Sequence, residues 1–230
     1  MDFVERSFEL PGIGERTYRF PTHFRGVELV IAPLLVPLSL AQSWLPEAIS
    51  PIALPGGRAL ALFTVQHFGE PAQLKPYGEA SFAVLARTGA GDEHAKGFHV
   101  LTMPVTSEEN RARGVAIFGL PKEMAEVSLS GDERTRQGVV RVDGELLFSL
   151  KFRRRIPVPG AQPIRSGNLQ NVDGRWSRVR SAGRGRYALG SAELELGDAL
   201  RRRYPGLPEQ ARSRLAARIT DGELFLHLPE

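Results

Sequence analysis

Apolar and polar residues alternate with a period of two over much of the chain, a pattern typical of β-strands with one buried face. The clearest alternation runs through 58–67 (RALALFTVQH), and a second runs through 79–87 (EASFAVLAR). Asp143-Gly144 separates two further segments of this kind and is a strong signal for a two-residue hairpin turn. The predicted strands are 28–38, 58–67, 79–87, 98–105, 116–119, 123–129, 138–142, 145–152, 175–180, 192–196 and 224–228.

Signals for helices are few and lie between the strands. Ser39 can cap a short helix over 40–45, and 106–109 (TSEE) resembles a capping box at the start of another helix. Two further helices are predicted over 198–204 and 208–217.

The balance of elements predicts a mainly-β fold. Residues 157–186 are rich in Pro, Gly, Arg and Asn, so they are predicted as long loops with one strand near 175–180. About ten strands with few helices indicate an antiparallel sheet closed into a cone-like β-barrel with peripheral helices. Because no linker divides the chain, residues 1–230 are predicted to form a single domain.

Composition narrows the classes of function. The formal net charge of +4 is modest, and the densest basic cluster, 151–155, follows a predicted strand without any nucleic-acid-binding motif. The chain has no cysteine, which fits a reducing cytoplasm and excludes disulfides and thiolate metal sites. No apolar run reaches about 18 residues, so we do not expect membrane insertion. The modest charge and the lack of a binding motif likewise give no reason to expect nucleic-acid binding. The five histidines lack metal-ligand spacing, so no metal site is expected.

One lysine lies in unusual surroundings. Of the 30 basic residues only four are lysine, and Lys122 lies in the largely apolar segment 116–125 (AIFGLPKEMA). Arginine stays protonated, whereas a desolvated lysine can lose its proton and become a nucleophile. Lys122 is therefore a candidate for amine chemistry. The alternative is a strand-edge lysine whose stem covers apolar side chains while its ammonium group reaches water.

Two segments carry a resemblance to a known family. Residues 118–125 (FGLPKEMA) resemble the segment of the acetoacetate decarboxylase family in which the lysine after a proline forms a Schiff base with a β-keto acid. Upstream, 76–79 (PYGE) is similar to the family's Tyr-x-Glu segment, whose glutamate faces that lysine. The resemblance implies a cone-like barrel, often oligomeric, with Lys122 inside it.

The resemblance and the residues present together suggest roles for individual side chains. Lys122 is the expected nucleophile, and Glu79 is the expected general acid and base. Tyr77 and Phe118 are expected to contact the substrate, and Arg25, with Arg58 as an alternative, is expected to bind its carboxylate. The expected partners are a small-molecule keto acid and further copies of the chain in a homo-oligomer, and no cofactor is expected.

Three departures from the family pattern keep the reaction open. The family has a second lysine directly after the reactive one, where this chain has Glu123. The family's acid a turn ahead of the lysine aligns with Ala116, and its N-terminal arginine aligns with Val27, close to Arg25. If 123–129 is a strand, Glu123 points away from the face of Lys122. A decarboxylase, a related aldolase or dehydratase, and a non-catalytic binding barrel all remain alternatives.

Overall fold

A single large sheet dominates the molecule. The computed structural model describes residues 3–89 and 95–230, and within these ranges it has thirteen strands and three helices. Strands β3 to β13 form one eleven-stranded sheet, while β1 and β2 form a separate hairpin. The strands are β1 Val4–Leu10, β2 Gly14–Phe20, β3 Thr22–Pro37, β4 Ile49–Pro51, β5 Arg58–Pro71, β6 Tyr77–Thr88, β7 Lys96–Val105, β8 Lys122–Met124, β9 Glu126–Gly131, β10 Thr135–Val142, β11 Glu145–Val172, β12 Arg175–Leu196 and β13 Gln210–Leu226. The helices are α1 Leu38–Ser43, α2 Glu108–Phe118 and α3 Asp198–Arg203.

The sheet closes on itself. Its order is β8-β7-β6-β5-β3-β13-β12-β11-β10-β9, and a parallel bridge between Phe98 of β7 and Asn168 of β11 completes a ring of seven strands. Gly97 permits this contact, because a Cβ there would lie 2.7 Å from the Gly167 carbonyl oxygen. All other pairings are antiparallel except β7–β8. The predicted mainly-β fold with few helices and a closed sheet is therefore confirmed.

The central strands have two different faces. On one face, Phe63 of β5 stacks on Phe82 of β6 with 4.6 Å between ring centroids, and it meets Phe148 of β11 edge-on at 5.3 Å. These rings belong to the principal apolar core. On the other face, residues of the same strands, such as Thr64 and Glu79, line a cavity that α2 lines from the opposite side.

A cluster of ion pairs ties distant strands together. Glu28 of β3 accepts hydrogen bonds from Arg136 of β10, with Nε 2.7 Å from Oε1, and from Arg218 of β13, with Nε 2.8 Å from Oε1. Arg136 also donates through Nη2 to the second carboxylate oxygen of Glu28. The three side chains are only 13–20% exposed. This three-residue group is called the Glu28 cluster below.

Three expectations from the sequence are corrected, and one hairpin was missed. Residues 157–186 are not loops, because they pair as the distal halves of β11 and β12 around a turn at Asp173-Gly174, where φ is 50° and 81°. Residues 208–217 are not a helix, because β13 begins there and pairs with β12 and β3. Residues 116–119 are the end of α2 and its cap rather than a strand. The β1–β2 hairpin had no prediction.

No helix in the described ranges is both long enough and apolar enough to cross a membrane.

Candidate active site

A cavity of about 350 Å³ lies on the face of the sheet opposite the principal core. Its lining is mainly apolar, with a small number of polar groups placed among the hydrophobic side chains, as is usual in small-molecule sites. The polar groups that concern the chemistry come from β5, β6, α2 and β8, and they are Gln66, Tyr77, Glu79, Asn110, Arg113 and Lys122.

The end of α2 sets the position of the lysine. The helix ends at Gly119, which adopts a left-handed conformation (φ 60°, ψ 21°), and a Cβ there would lie 2.2 Å from the Asn171 carbonyl oxygen. The Leu120 amide then donates to the Gly114 carbonyl at 3.1 Å, which reverses the chain. Lys122 follows as the first residue of β8, and it pairs with Met103 of β7.

The side chain of Lys122 depends on a glycine in the helix. A Cβ on Gly114 would lie 2.3 Å from Lys122 Cδ and 2.5 Å from its Cε. Gly114 therefore provides the space through which the lysine stem passes along α2 into the cavity. Only 6% of the Lys122 side chain is exposed, whereas Lys75 and Lys96 are exposed.

Lys122 and Glu79 meet inside the cavity. Lys122 Nζ lies 2.5 Å from Glu79 Oε2, and the Glu79 side chain is 7% exposed. Gln66 Nε2 donates to the other oxygen, Glu79 Oε1, and so fixes the orientation of the carboxylate. The arrangement is a buried amine in direct contact with a buried acid whose second oxygen is already bound, which is the geometry needed for proton transfer.

The Tyr77-Gly78-Glu79 segment places two side chains on one face of β6. Tyr77 is buried, and Lys122 Nζ lies 5.9 Å from the centroid of its ring. Burial, and then the charge of Glu79, raise the pKa of Tyr77 well above its usual value, so its phenol stays protonated. Gly78, between Tyr77 and Glu79, lets β9 approach β6 closely, because a Cβ on Gly78 would lie 3.0 Å from the Val127 carbonyl oxygen.

Glu123 faces away from the cavity, as strand alternation predicts. Arg203 of α3 donates to both oxygens of its carboxylate, at 2.5 and 3.0 Å, and the Thr102 hydroxyl donates to Oε1 at 2.7 Å. Its charge is therefore compensated on the side of the sheet remote from Lys122.

The structure brings together four of the five predicted site residues. Lys122, Glu79, Tyr77 and Phe118 all line the cavity. Arg25 does not, because it lies on the exposed part of β3, so the structure does not bring the residue predicted to bind the carboxylate into the cavity with the other four.

Arg58, the alternative to Arg25, also lies outside the cavity, and a different arginine lies inside it. Arg58 begins β5 on the surface and donates to the Leu35 carbonyl at 2.8 Å. The cavity instead contains Arg113, together with Asn110 and Gly114 from the same helix. The capping signal predicted the start of this helix, and the Ser107 hydroxyl does accept from the backbone N–H of Asn110. The sequence did not show which residues of the helix face the cavity, so these three were missed.

The described residues contain no group of three or more His, Asp or Glu side chains able to hold a metal ion. One of the five histidines, His94, lies outside the described ranges.

The sequence model of the acetoacetate decarboxylase (ADC) family matches residues 10–183, which is most of the chain. This chain belongs to that family. Among curated proteins, none matches it in sequence.

Solved structures of two acetoacetate decarboxylases and of a biosynthetic enzyme share its fold. One acetoacetate decarboxylase has a TM-score of 0.64 at 17% identity, over 92% of this chain and 88% of its own. The acetoacetate decarboxylase of Legionella pneumophila subsp. pneumophila str. Philadelphia 1 has a TM-score of 0.63 at 18% identity, over 91% and 86%. The enduracididine biosynthesis enzyme MppR, in complex with the condensation product of pyruvate and imidazole 4-carboxaldehyde, has a TM-score of 0.63 at 15% identity, over 92% and 89%.

This member of the acetoacetate decarboxylase family has apolar residues at two positions where the resemblance suggested charged ones. Val27 is 1% exposed and packs among apolar side chains of β3, β5 and β13. Ala116 lies on α2 and packs against a second apolar cluster. Neither position supplies a charge to the cavity.

Proposed function

We propose that this protein is a lysine-dependent lyase that forms an imine between Lys122 and the ketone of a small keto acid. The observation that carries the proposal is the contact of 2.5 Å between Lys122 Nζ and Glu79 Oε2 inside an apolar cavity. Membership of the acetoacetate decarboxylase family supports it.

The first step is addition of the amine to the ketone. A neutral Lys122 Nζ uses its lone pair to form a bond to the carbonyl carbon, and the carbonyl oxygen takes up a proton. Loss of that oxygen as water leaves a protonated imine. The positive nitrogen of the imine can then accept the electron pair of a bond on the adjacent carbon, which lowers the barrier to breaking that bond.

Glu79 is the group best placed to move the protons. Its Oε2 can take a proton from the Lys122 ammonium before the addition and return it to the departing oxygen. Gln66 keeps the carboxylate oriented throughout, since it donates to the oxygen that does not face the amine.

Two reactions remain for the imine. Loss of carbon dioxide from a β-keto acid places the electron pair on the imine, and a proton then replaces the carboxylate. Loss of a proton instead gives an enamine, which can attack an aldehyde in an aldol addition that is followed by dehydration. The complex of MppR with a condensation product of pyruvate supports testing this second reaction.

The test is borohydride trapping with acetoacetate and, separately, pyruvate, with and without an added aldehyde. Hydride reduces the imine to a stable secondary amine, so intact mass and peptide mapping report both the adduct and its position. We expect the adduct on Lys122. A label of the mass of reduced acetone would identify decarboxylation, and loss of water from a combined product would identify aldol chemistry.

Two variants make this test specific. Lys122→Ala is expected to abolish the adduct, whereas Lys75→Ala, which removes an exposed lysine, is expected to leave it unchanged. Absence of an adduct in folded wild-type protein would contradict imine formation and favour the non-catalytic binding barrel.

Assembly and location stay predictions. Ile156 and Leu189, which are register partners, and Leu215 are 60%, 43% and 79% exposed, which supports burial of this surface in a homo-oligomer. The absence of cysteine from the sequence supports a cytoplasmic location.

A further inference from the structure

Arg113 is a buried charge without an ion-pair partner among the described residues. It is 2% exposed and lies on α2, and no described Asp or Glu forms an ion pair with it. Its Nη2 donates to the Thr22 hydroxyl, while its buried Nε has no partner among the described residues. Buried charges in proteins are normally paired, because an unpaired charge loses its hydration without compensation.

Aromatic rings surround the guanidinium without neutralising it. Its Cζ lies 4.7 Å from the ring centroid of Tyr18 and 5.5 Å from those of Phe20 and Phe118. These contacts hold the plane of the group in place. Burial lowers the pKa of Arg113, since desolvation disfavours the charged form. The charges of nearby acidic groups, Glu109 and Glu79 among them, act in the opposite direction without forming an ion pair with it.

A second unpartnered donor lies one turn earlier on the same helix. Asn110 is also 2% exposed, and its buried Nδ2 has no partner among the described residues. Residues three apart on a helix share a face, and both Asn110 and Arg113 line the cavity. Two residues of the cavity lining, on one face of α2, therefore each carry a buried N–H group without an acceptor among the described residues.

The charges around the cavity indicate the sign of the ligand. Arg113, Lys122 and Arg165 are the basic residues of its lining, and Glu79 is the acidic one. Because Lys122 pairs with Glu79, the charge of Arg113 remains available to an anion. A carboxylate fits this donor set, since a guanidinium can bind it through two parallel hydrogen bonds.

We propose that Arg113 and Asn110 form a carboxylate-binding subsite on α2, so that the cavity selects a keto acid over a neutral ketone or aldehyde. The carboxylate lies against α2 while the ketone faces Lys122. The selection of a reacting ketone rests on the proposed function of Lys122, but binding of the carboxylate does not.

The test uses a carboxylate that cannot form an imine. Butyrate and its neutral amide, butyramide, have the same alkyl chain, and their affinities for the whole protein are measured by calorimetry. We expect butyrate to bind and butyramide to bind at least about 10-fold more weakly. Arg113→Met is expected to weaken butyrate binding by about 10- to 100-fold, and Arg113→Lys, which lacks the planar fork, by less.

The matched control lies on the same helix. Arg111→Met removes an exposed arginine that pairs with Glu108, and it should leave butyrate binding unchanged. Butyrate cannot form an imine, so its binding to the wild-type protein should persist even if no imine forms at Lys122, which separates the two proposals. In borohydride trapping, Arg113→Lys should slow labelling by pyruvate and spare labelling by butanone.

Folding is read separately from binding. Since Arg113→Met removes an uncompensated buried charge and keeps an apolar chain, its melting temperature should equal or exceed that of the wild type. Equal binding of butyrate and butyramide would overturn the proposal. So would a large fall in melting temperature with unchanged butyrate binding, which would assign Arg113 to support of the aromatic cluster. If Arg113→Met does not fold, unchanged butyrate affinity in Arg113→Lys overturns it.

Discussion

Two carboxylates in this sheet are held by different cations. Glu79 meets a single lysine, Lys122, inside the cavity, whereas Glu28 meets Arg136 and Arg218 at the junction of β3, β10 and β13. The arginines hold a permanent charge in a planar fork, so the Glu28 cluster acts as a fixed connection between strands. The amine of Lys122 can give up its proton, so its contact with Glu79 can be exchanged for a bond to a substrate.

The largest expected effect comes from exchanging the cations. Lys122→Arg keeps a positive charge next to Glu79 but removes the nucleophile, so the borohydride adduct should fall below detection in a folded protein. The reciprocal Arg218→Lys places a lysine next to Glu28, outside the cavity, and should create no adduct there. Mass spectrometry after trapping reads both, and an adduct at position 218 would contradict the distinction between the two clusters.

Removal of the charge from Glu28 should affect folding instead. Glu28→Gln leaves two guanidinium groups, 13–14% exposed, without their carboxylate, and should lower the free energy of unfolding by about 3 kcal/mol. Glu145→Gln, which disturbs an exposed pair with Arg202, should cost at most about 1 kcal/mol. Urea denaturation measures both values, and equal costs would show that the Glu28 cluster is no more than a surface ion pair.

A methyl group at position 114 of α2 should slow imine formation at Lys122 without lowering the stability of the fold. In Gly114→Ala the new Cβ would occupy the path of the lysine stem, and a displacement of about 1 Å can slow a reaction by about 100-fold. Alanine also favours a helix over glycine by up to about 1 kcal/mol, so stability should be kept. The rate of adduct formation is the measurement, with Val115→Ala, 41% exposed on the same helix, as the control. An unchanged rate in Gly114→Ala would show that the stem has another route.

The smallest effect is expected at the partly exposed pair of Glu123 and Arg203. Glu123→Gln should change the free energy of unfolding by at most about 1 kcal/mol, and it should leave the rate of adduct formation at Lys122 unchanged. Denaturation and trapping of the same sample test both statements. A change of more than about 10-fold in the trapping rate would mean that the charge of Glu123 reaches Lys122 despite its orientation.

Much of the sheet follows from local pattern. The alternation at 58–67 and 79–87 predicted β5 and β6. In both strands one face packs in the principal apolar core and the other face lines the cavity. The distal hairpin at 157–186 was missed because its strands are held by backbone pairing, with exposed polar side chains and scattered Gly and Pro. Residues 208–217 contain good helix formers, but pairing on both sides decides their structure.

The sequence identified the residues of the candidate site only where they belong to a recognisable motif. Lys122 and Glu79 were paired through their motifs although 43 positions separate them. Arg113 and Asn110 gave no such signal, because their convergence depends on the register of α2 and on the depth at which the helix lies. Arg25 looked suitable by its place in the sequence, but it lies on an exposed part of β3.

The concentration of so many cavity groups on α2 and the turn after it has an evolutionary consequence. Asn110, Arg113, Gly114, Phe118 and Lys122 fall within thirteen consecutive residues, whereas the strand pairings that hold the fold lie almost wholly outside them. Substitutions in this short stretch can change what the cavity recognises while the inherited framework of strands stays intact. One scaffold can thus give rise to descendants with different substrates through few changes in one place.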